Sequence, residues 1–460
     1  MKTICLYFEI HQVIHLKRYR FFDIGYDHYY YDDYANETGT DYLAQNSYIP
    51  ALQTMLQMVK DSNGYFKVAF SISGVALEQL EQYAPQVVDL LQELNSTGSV
   101  EFLSEPYSHG LSSLAENNED SFVSEVRRQS DLIFERFGQR PRVLRNSSLI
   151  YDDRIGGIVG DMGFEGLLTE GAKHILGWKS PHYLYHSEMN PDLKILLRDF
   201  KLSDDISLRF SNPAWESYPL MADTYIDWIA QTPTDEQIYN IFMELNAIGV
   251  SQPLNSNILE FLKALPECAR KRGITFSTPS QIIDNCKSVA PIDVPFPMSW
   301  SDEERDISCW LGNVMQKEAF NKLYKIGERI KYCADKNLIK QNTLSTGAGK
   351  RLLQDWDYLQ ASNNFRFMCT KNIGVGLDMG IYESAYDAFT NYMNILGDFQ
   401  QRVHEILAVD ADADELDALQ LAMINKDKRI EELEKQIVRL KSAKTVKKKP
   451  YDMTKNGSSK

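Results

Sequence analysis

One stretch decides the fold: Val143-Leu-Arg-Asn-Ser-Ser-Leu-Ile-Tyr-Asp-Asp-Arg-Ile-Gly-Gly-Ile-Val-Gly-Asp-Met-Gly-Phe-Glu-Gly-Leu-Leu-Thr-Glu170. It begins as a short apolar strand that turns polar at residues 145–148, and Asp152 then offers an N-cap oxygen for a helix. Apolar residues follow at helical spacing, namely Ile155, Ile158, Val159 and Met162. Gly163 stands where a C-cap glycine is expected, and residues 164–169 have the pattern of the next strand. The stretch therefore predicts a β–loop–α–β unit with polar residues at the carboxyl ends of both strands, where (β/α) barrels keep their functional groups.

The same alternation of strand and helix continues on both sides of this stretch. Further strands are predicted at residues 4–10, 66–71, 100–103, 194–200, 238–243 and 274–278, with helical patterns between them at residues 51–59, 76–94 and 119–137. Seven or eight such units favour a parallel (β/α) barrel over an open sheet, and we assign it to residues 1–290. A long tyrosine-rich loop is predicted at residues 18–48, whose rings either stack on a sugar or fasten the loop to the barrel.

The strand signal fades after residue 290. Helical patterns dominate residues 291–405, which we predict to form an α-helical subdomain. Residues 406–443 are predicted as a short coiled coil from its apolar seam at Leu416, Leu419, Met423, Ile430, Leu433, Ile437 and Leu440. This segment either joins subunits through residues 416–440, which we favour slightly, or folds back on its own chain. The lysine-rich residues 444–460 are predicted to be a disordered tail.

The charge of the chain limits its partners. The 460 residues carry a formal charge of −15, although the last twenty hold seven lysines and only one aspartate. The acidic body that remains repels nucleic acid, so we expect no nucleic-acid partner. Neutral polar substrates such as sugars are compatible with this charge.

The cysteine pattern and the hydropathy of the sequence predict the compartment in which the protein resides. Six cysteines are scattered without a CxxC pair or zinc spacing, which is typical of free thiols in a reducing compartment. Glu9 and His11 interrupt the apolar N-terminal run before it reaches the length of a signal peptide. Because the sequence contains no apolar run of about 18 residues, we expect no membrane span and a cytoplasmic protein.

Polar residues at the predicted strand ends are the candidates for chemistry: His11, Glu105, His109, Ser147, Ser148, Glu170, Asp204, Asp205 and Glu244. A single histidine at such a position is more often structural than functional, but carboxylates and histidines from several strands would share one rim of a barrel. The sequence has no HExxH, Walker, GxGxxG or GxSxG motif, so we expect neither a metal nor a cofactor. A carboxylate-lined pocket with aromatic residues is the pattern expected of a glycosidase.

Five segments carry a more specific signal: Phe8-Glu-Ile-His-Gln12, Val100-Glu-Phe-Leu-Ser-Glu-Pro-Tyr-Ser-His-Gly110, Arg145-Asn-Ser-Ser-Leu-Ile-Tyr151, Tyr239-Asn-Ile-Phe-Met-Glu-Leu-Asn246 and Trp300-Ser-Asp-Glu-Glu-Arg-Asp-Ile-Ser-Cys-Trp-Leu-Gly-Asn313. As a set they resemble the five motif regions of glycoside hydrolase family 57, in its α-amylase-like branch, over residues 1 to about 400. The resemblance implies an incomplete (β/α)7 barrel followed by a helical bundle. It also implies a retaining mechanism on α-glucans, with a glutamate nucleophile and an aspartate acid/base.

Both catalytic positions implied by the resemblance are substituted. The nucleophile position falls on Ser148, where the family has glutamate, and the acid/base position falls on Glu244, where it has aspartate. A retaining mechanism needs two carboxyl groups about 5–5.5 Å apart, and a neutral serine hydroxyl does not replace one of them. Glu170 as a substitute nucleophile, or Asp204 or Asp205 as a base for water, are less favoured possibilities. The resemblance further implies these substrate-binding residues: His11, Glu105, His109, Glu170, Asp205, Trp300, Asp302, Arg305 and Asp306.

Three functions remain open on this basis. The favoured one is a protein that binds α-glucan or maltooligosaccharide with little or no hydrolysis. The second is an active α-glucan hydrolase or 4-α-glucanotransferase with altered machinery. The third is a scaffold that recruits glucan-metabolising proteins through the coiled coil.

Overall fold

The computed structural model describes residues 1–115, 118–335, 347–371 and 380–407, together with Leu433. Within this part of the chain, seven parallel strands close into a ring: β1 (Thr3–Ile10), β2 (Val68–Ile72), β3 (Val100–Leu103), β4 (Val143–Arg145), β5 (Gly166–Glu170), β6 (Lys194–Arg198) and β7 (Ile238–Glu244). Regular parallel ladders join β1 to β2, β2 to β3, β4 to β5, β5 to β6 and β7 to β1.

Two short backbone connections complete the ring. Ser104 N donates to Val143 O at 3.0 Å, which joins the end of β3 to β4, and Asp199 N donates to Asn240 O at 2.8 Å, which joins β6 to β7. The predicted (β/α)7 barrel is thereby confirmed. The eighth predicted strand is reduced to Thr275–Phe276, which pairs with the first two residues of β1.

The strands are buried on both faces, which explains their nearly continuous apolar runs. In β1 the outward side chains Ile4, Leu6, Phe8 and Ile10 pack against the surrounding helices. The inward side chains Cys5 and Tyr7 pack in the barrel interior with Phe242 and other residues of the ring. Since successive side chains of a strand point to opposite faces, one strand contributes to the packing against the helices and to the packing inside the barrel.

Helices of the barrel half surround the ring: α1 (Asp33–Leu43), α2 (Ile49–Asp61), α3 (Gly74–Tyr83), α4 (Pro85–Ser96), α5 (Glu119–Phe137), α6 (Asp153–Asp161), α7 (Lys173–Leu176), α8 (Phe200–Asp204), α9 (Ala222–Gln231), α10 (Ile258–Lys271) and α11 (Pro279–Asn285). The single helix predicted over residues 76–94 is two helices. Ala84 leaves the helical conformation at φ −144°, and Pro85 starts α4 because proline is favoured at a first helical position.

The tyrosine-rich residues 18–48 are not one loop. Asp32 accepts a hydrogen bond from Ala35 N at 2.9 Å and starts α1, so the N-cap outweighs a composition typical of loops. Tyr30 and Tyr31 are buried, and their hydroxyls donate to Asp398 at 2.6 Å and Asp355 at 2.7 Å. These two rings therefore fasten the segment to the helices that follow the barrel.

The described residues from 308 onward are mainly helical, as predicted: α12 (Ser308–Leu311), α13 (Val314–Asp335), α14 (Gly347–Leu359), α15 (Ser362–Arg366) and α16 (Ala385–Ile406). Residues 1–403 form one compact unit and residues 404–460 a second. A boundary at residue 290 stays a prediction. Except for residues 406, 407 and 433, the predicted coiled coil at 406–443 and the tail at 444–460 lie outside the described residues. No helix in the described residues has the length and hydropathy needed to cross a membrane.

Candidate functional site

Seven polar side chains line the barrel interior at the carboxyl ends of the strands. Each lies two residues after an inward apolar residue, so the alternation of a strand points both to the same face. The apolar residues are Tyr7, Ala69, Leu103, Val143, Leu168, Leu196 and Phe242. We name the residues two positions further the polar layer: Glu9, Ser71, Glu105, Arg145, Glu170, Arg198 and Glu244.

The first half of the polar layer is organised around Arg145. Its Nη2 donates to Glu9 Oε2 at 2.5 Å, and its Nη1 lies 2.5 Å from Glu9 Oε1 and 3.7 Å from Glu105 Oε2. All three side chains are buried. Burial raises the pKa of Glu9 well above its usual range although Arg145 opposes the shift, and burial raises the pKa of Glu105 to about 8.

Two stacked histidines lie beside this cluster. His109 Nδ1 is 3.2 Å from Glu9 Oε1 and 3.5 Å from Glu105 Oε2, and its ring stacks on His11 with 4.0 Å between centroids. His11 is held by Ser73 Oγ at 2.9 Å and by Asn363 Oδ1 at 3.1 Å. Burial lowers the pKa of both histidines well below the usual range, so both imidazoles are neutral at pH 7.

The second half of the polar layer is organised around Arg198. Its guanidinium donates to Glu170 Oε2 at 3.0 Å, to Asp204 Oδ1 at 2.5 Å and to the Phe242 carbonyl at 2.8 Å. Arg305 adds a second cation, 3.7 Å from Glu170 Oε2. Burial raises the pKa of Glu170 while both arginines oppose the shift. Glu170 is therefore a fully buried, paired carboxylate.

The structure separates the two neighbouring aspartates that follow β6. Asp204 joins the cluster of Arg198 and Arg305. Asp205 instead accepts a hydrogen bond from Arg209 Nε at 2.7 Å, one helical turn further along the chain. The predicted substrate-binding residue Asp205 is thus not brought together with the other predicted site residues in this cluster.

Ser148 lies in a tight turn at the end of β4. Both Ser148 and Leu149 have left-handed backbones, with φ of 54° and 55°, which are uncommon for residues other than glycine. The Ser148 carbonyl accepts a hydrogen bond from Trp300 N at 3.3 Å. This contact brings the segment with Trp300 and Arg305 against the polar layer.

The remaining predicted residues of that segment face Lys371. Its Nζ lies 3.2 Å from Asp302 Oδ2 and 4.0 Å from Asp306 Oδ1. Arg305 donates to the Trp300 carbonyl, so these two residues are coupled to each other as well as to the barrel. The structure therefore places Trp300 and Arg305 at the polar layer, and Asp302 and Asp306 at an ion pair beside it.

Glu244 differs from the other carboxylates of the polar layer because it is exposed. It ends β7 and is the register partner of Glu9 on β1. A cavity of about 280 Å³, lined in part by Leu16, Tyr42, Phe367 and Tyr382, has no residue of the polar layer in its lining. Glu244 is the acid of this layer that a ligand outside the barrel can reach.

The sequence prediction missed Glu9, Arg145 and Arg198. Each belongs to the polar layer, and the signal for each was its place two residues after an inward apolar residue. Residues 4–10 are predicted only as a strand, so Glu9 is not among the predicted site residues. Arg145 and Arg198 pair with the buried carboxyl groups of the polar layer, so they determine the net charge of the site.

A closed ring of parallel strands with a polar layer at its carboxyl ends defines a (β/α) barrel with its site at that end. The family model described as "Glycosyl hydrolase family 57" matches residues 5–295. A Methanocaldococcus jannaschii protein provisionally named α-amylase is 38% identical over 389 residues, which are 82% of this chain and 80% of that protein. The chain belongs to glycosyl hydrolase family 57.

Solved structures agree in fold at low sequence identity. A family 57 branching enzyme from Pyrococcus horikoshii superposes with a TM-score of 0.62 at 14% identity, over 88% of each chain. A 4-α-glucanotransferase from Thermococcus litoralis superposes with a TM-score of 0.53 at 14% identity. That match covers 80% of this chain but only 51% of the glucanotransferase, so this chain spans about half the length of that enzyme.

Proposed function

We propose that this chain is an α-glucan-binding member of family 57 with little or no hydrolytic activity. The resemblance of residues 145–151 to the third motif region implies that Ser148 occupies the nucleophile position. The resemblance of residues 239–246 to the fourth implies that Glu244 occupies the acid/base position. The related proteins are named as an α-amylase, a branching enzyme and a 4-α-glucanotransferase, which supports an α-glucan as the ligand.

One observation carries the proposal: among the described residues, the buried carboxyl groups of the polar layer all lie beside an arginine, and the exposed one, Glu244, is the residue that the resemblance assigns to the acid/base position. Glu9 and Glu105 are buried around Arg145, and Glu170 is buried between Arg198 and Arg305. Among the residues that the structure describes, neither a carboxylate nor an imidazole hydrogen-bonds the Ser148 hydroxyl. Because a serine hydroxyl needs an adjacent base to attack, Ser148 does not supply the nucleophile.

Binding is tested by calorimetry with maltoheptaose on the full chain. We expect saturable binding, weakened by Trp300→Ala because an aromatic ring beside the polar layer is removed. Tyr218→Ala is a control, since Tyr218 is a half-exposed tyrosine between α8 and α9. No heat of binding at millimolar ligand would remove the proposal that the site still holds a glucan.

Catalysis is tested by restoring both carboxyl positions. The variant Ser148→Glu with Glu244→Asp should release new reducing ends from starch, whereas the wild-type chain should release almost none. Loss of a single hydrogen-bond donor to the transition state typically costs about 10²–10³ in rate, so restoring the charged nucleophile should gain at least that much. Ser148→Gln with Glu244→Asp is the matched control, because the amide has the size of glutamate without its charge.

An active hydrolase or 4-α-glucanotransferase with altered machinery is the alternative, and the same assay detects it. Reducing ends or disproportionated maltooligosaccharides from the wild-type chain, abolished by Glu244→Gln, would contradict the loss of catalysis. Because Glu244 is exposed, its amide should leave the packing of the buried part of the polar layer intact.

A further inference from the structure

We propose that Glu9, Glu105 and His109 form a binding site for a divalent metal ion of the zinc class, beside Arg145. This proposal does not rest on glucan binding or on the loss of hydrolysis. One oxygen from each glutamate and Nδ1 of the histidine would be the three protein ligands. All three atoms lie within 4.8 Å of one another.

The distances between the ligand atoms fit a tetrahedral ion. His109 Nδ1 lies 3.2 Å from Glu9 Oε1 and 3.5 Å from Glu105 Oε2. Zinc bonds of about 2.0–2.2 Å to nitrogen and oxygen place tetrahedral ligands about 3.4 Å apart. Imidazole is a good ligand for zinc, whereas calcium takes oxygen ligands and magnesium retains most of its water. Three protein ligands with one open position are the arrangement of zinc ions that also bind a water or a substrate oxygen.

The ligand atoms lack hydrogen bonds of good geometry, although Glu9 Oε1 also lies 2.5 Å from Arg145 Nη1 in an ion pair. Glu105 is fully buried, yet neither of its oxygens has a hydrogen bond of good geometry, and the same holds for Glu9 Oε1 and His109 Nδ1. Buried polar groups are nearly always satisfied by protein, water or an ion. Four such atoms from three side chains that point at one another therefore indicate a common partner between them.

The charge around the cluster also favours a cation. Arg145 is the only guanidinium that touches Glu9 and Glu105 among the described residues, and it lies beside both carboxylates. The carboxylate of Glu244 acts on the same group from the neighbouring strand. Two buried carboxyl groups share this one guanidinium, so ionising both is costly without a further positive charge. A divalent ion would supply that charge.

His109 is positioned for this role by its backbone and by His11. Its φ of 52° is uncommon for a residue other than glycine, and such conformations are retained where the surroundings fix them. The backbone is fixed on both sides, since His109 N donates to Pro106 O and Ser362 N donates to His109 O. His11 uses both ring nitrogens on Ser73 and Asn363, so it supports the His109 ring by stacking and is not a fourth ligand.

The first measurement is the metal content of the untagged full chain. The protein is expressed in zinc-supplemented medium and analysed by inductively coupled plasma mass spectrometry. We expect one zinc ion per chain. After chelation, titration with zinc chloride should restore one equivalent and raise the melting temperature, and cobalt chloride should give the visible absorption of a tetrahedral cobalt site. Absence of zinc after expression and after titration would overturn the proposal.

Variants locate the ion. Glu105→Gln and His109→Gln should each weaken zinc binding by about a hundredfold or more, because loss of a direct ligand exceeds the 10–100-fold cost of losing a supporting hydrogen bond. Glu170→Gln is the matched control: it removes a buried carboxylate of the same polar layer that pairs with Arg198 and Arg305. We expect its zinc affinity to be unchanged. Zinc affinity unchanged in both ligand variants would overturn the proposal, as would cobalt absorption that persists in them.

Discussion

Replacing Arg198 with methionine removes the cation at the centre of the second half of the polar layer. The side chain is buried and donates three hydrogen bonds, at 2.8 Å to the Phe242 carbonyl, 3.0 Å to Glu170 and 2.5 Å to Asp204. Methionine fills a similar volume without charge. The fully buried Glu170 carboxylate would then keep one cation, Arg305, whose Nη1 lies 3.7 Å away, and the hydrogen bond that Gly171 N donates to its Oε1 at 2.9 Å.

The magnitude follows from the burial of Glu170. Removing one partner of a buried ion pair costs about 3–5 kcal/mol because the other charge is left uncompensated. Since Arg305 remains, we expect the lower end, about 3 kcal/mol at pH 7. Burial already raises the pKa of Glu170, and loss of Arg198 raises it further. The destabilisation is therefore full above that raised pKa and shrinks as the pH falls below it and the carboxyl takes up a proton.

Urea unfolding at pH 7 and pH 5 measures this change. Adding Glu170→Gln to Arg198→Met should recover about 2 kcal/mol, since the unpaired charge is removed. Arg142→Met is the control: this arginine also pairs with two carboxylates, those of Glu165 and Asp284, but on the surface, and its loss should be much smaller. A loss in Arg198→Met that is equal at both pH values, or equal to that of the control, would refute the reasoning.

Three further predictions concern stability. His182 lies between Asp199 and Glu236, with a nitrogen–oxygen distance of 2.7 Å to each. Burial opposes protonation of the ring, but the two hydrogen bonds outweigh burial and raise the pKa of His182. The protonated histidine therefore stabilises the fold fully below about pH 6.5, and this stabilisation is lost as the pH rises through the raised pKa. His182→Gln should remove this pH dependence in thermal unfolding. Gly249→Ala should destabilise the fold strongly, since φ is +102° and the new Cβ would lie 1.9 Å from the Asn46 carbonyl oxygen. Gly138→Ala is the control: the space around this residue is open, so the loss measured by urea unfolding should be only about 1 kcal/mol. Asp152→Ala should cost about 1 kcal/mol by the same measurement, because Asp152 accepts the Ile155 N–H at 2.7 Å at the start of α6; no loss would show that this cap is not needed.

Much of the barrel was predictable because its signals are local. The strand at residues 100–103 and the helix at residues 119–137 have the predicted bounds, and Asp152 and Gly163 cap α6 as their residue types indicate. The division at Pro85 and the cap at Asp32 are local signals of the same kind. Local chemistry of this kind does not depend on partners distant in sequence.

The electrostatics of the site were less predictable because they depend on contacts across the ring. Nothing in a pair of adjacent aspartates shows that Asp204 reaches Arg198 while Asp205 turns to Arg209. Whether Glu9 is neutralised depends on Arg145, which lies three strands away around the barrel. The inward direction of both residues was readable from the alternation of their strands, but their partner was not.

The hydrogen bond between His11 and Asn363 has a consequence for the synthesis of the chain, since it joins residues 352 positions apart. At about 5–20 residues per second, a ribosome needs roughly 20–70 s to proceed from one to the other. For the part of that time that follows synthesis of β7, the nascent barrel contains both stacked histidines but lacks Asn363, which bonds His11. Pausing of the ribosome between α11 and α15 should therefore lengthen the period in which chaperones recognise this end of the barrel.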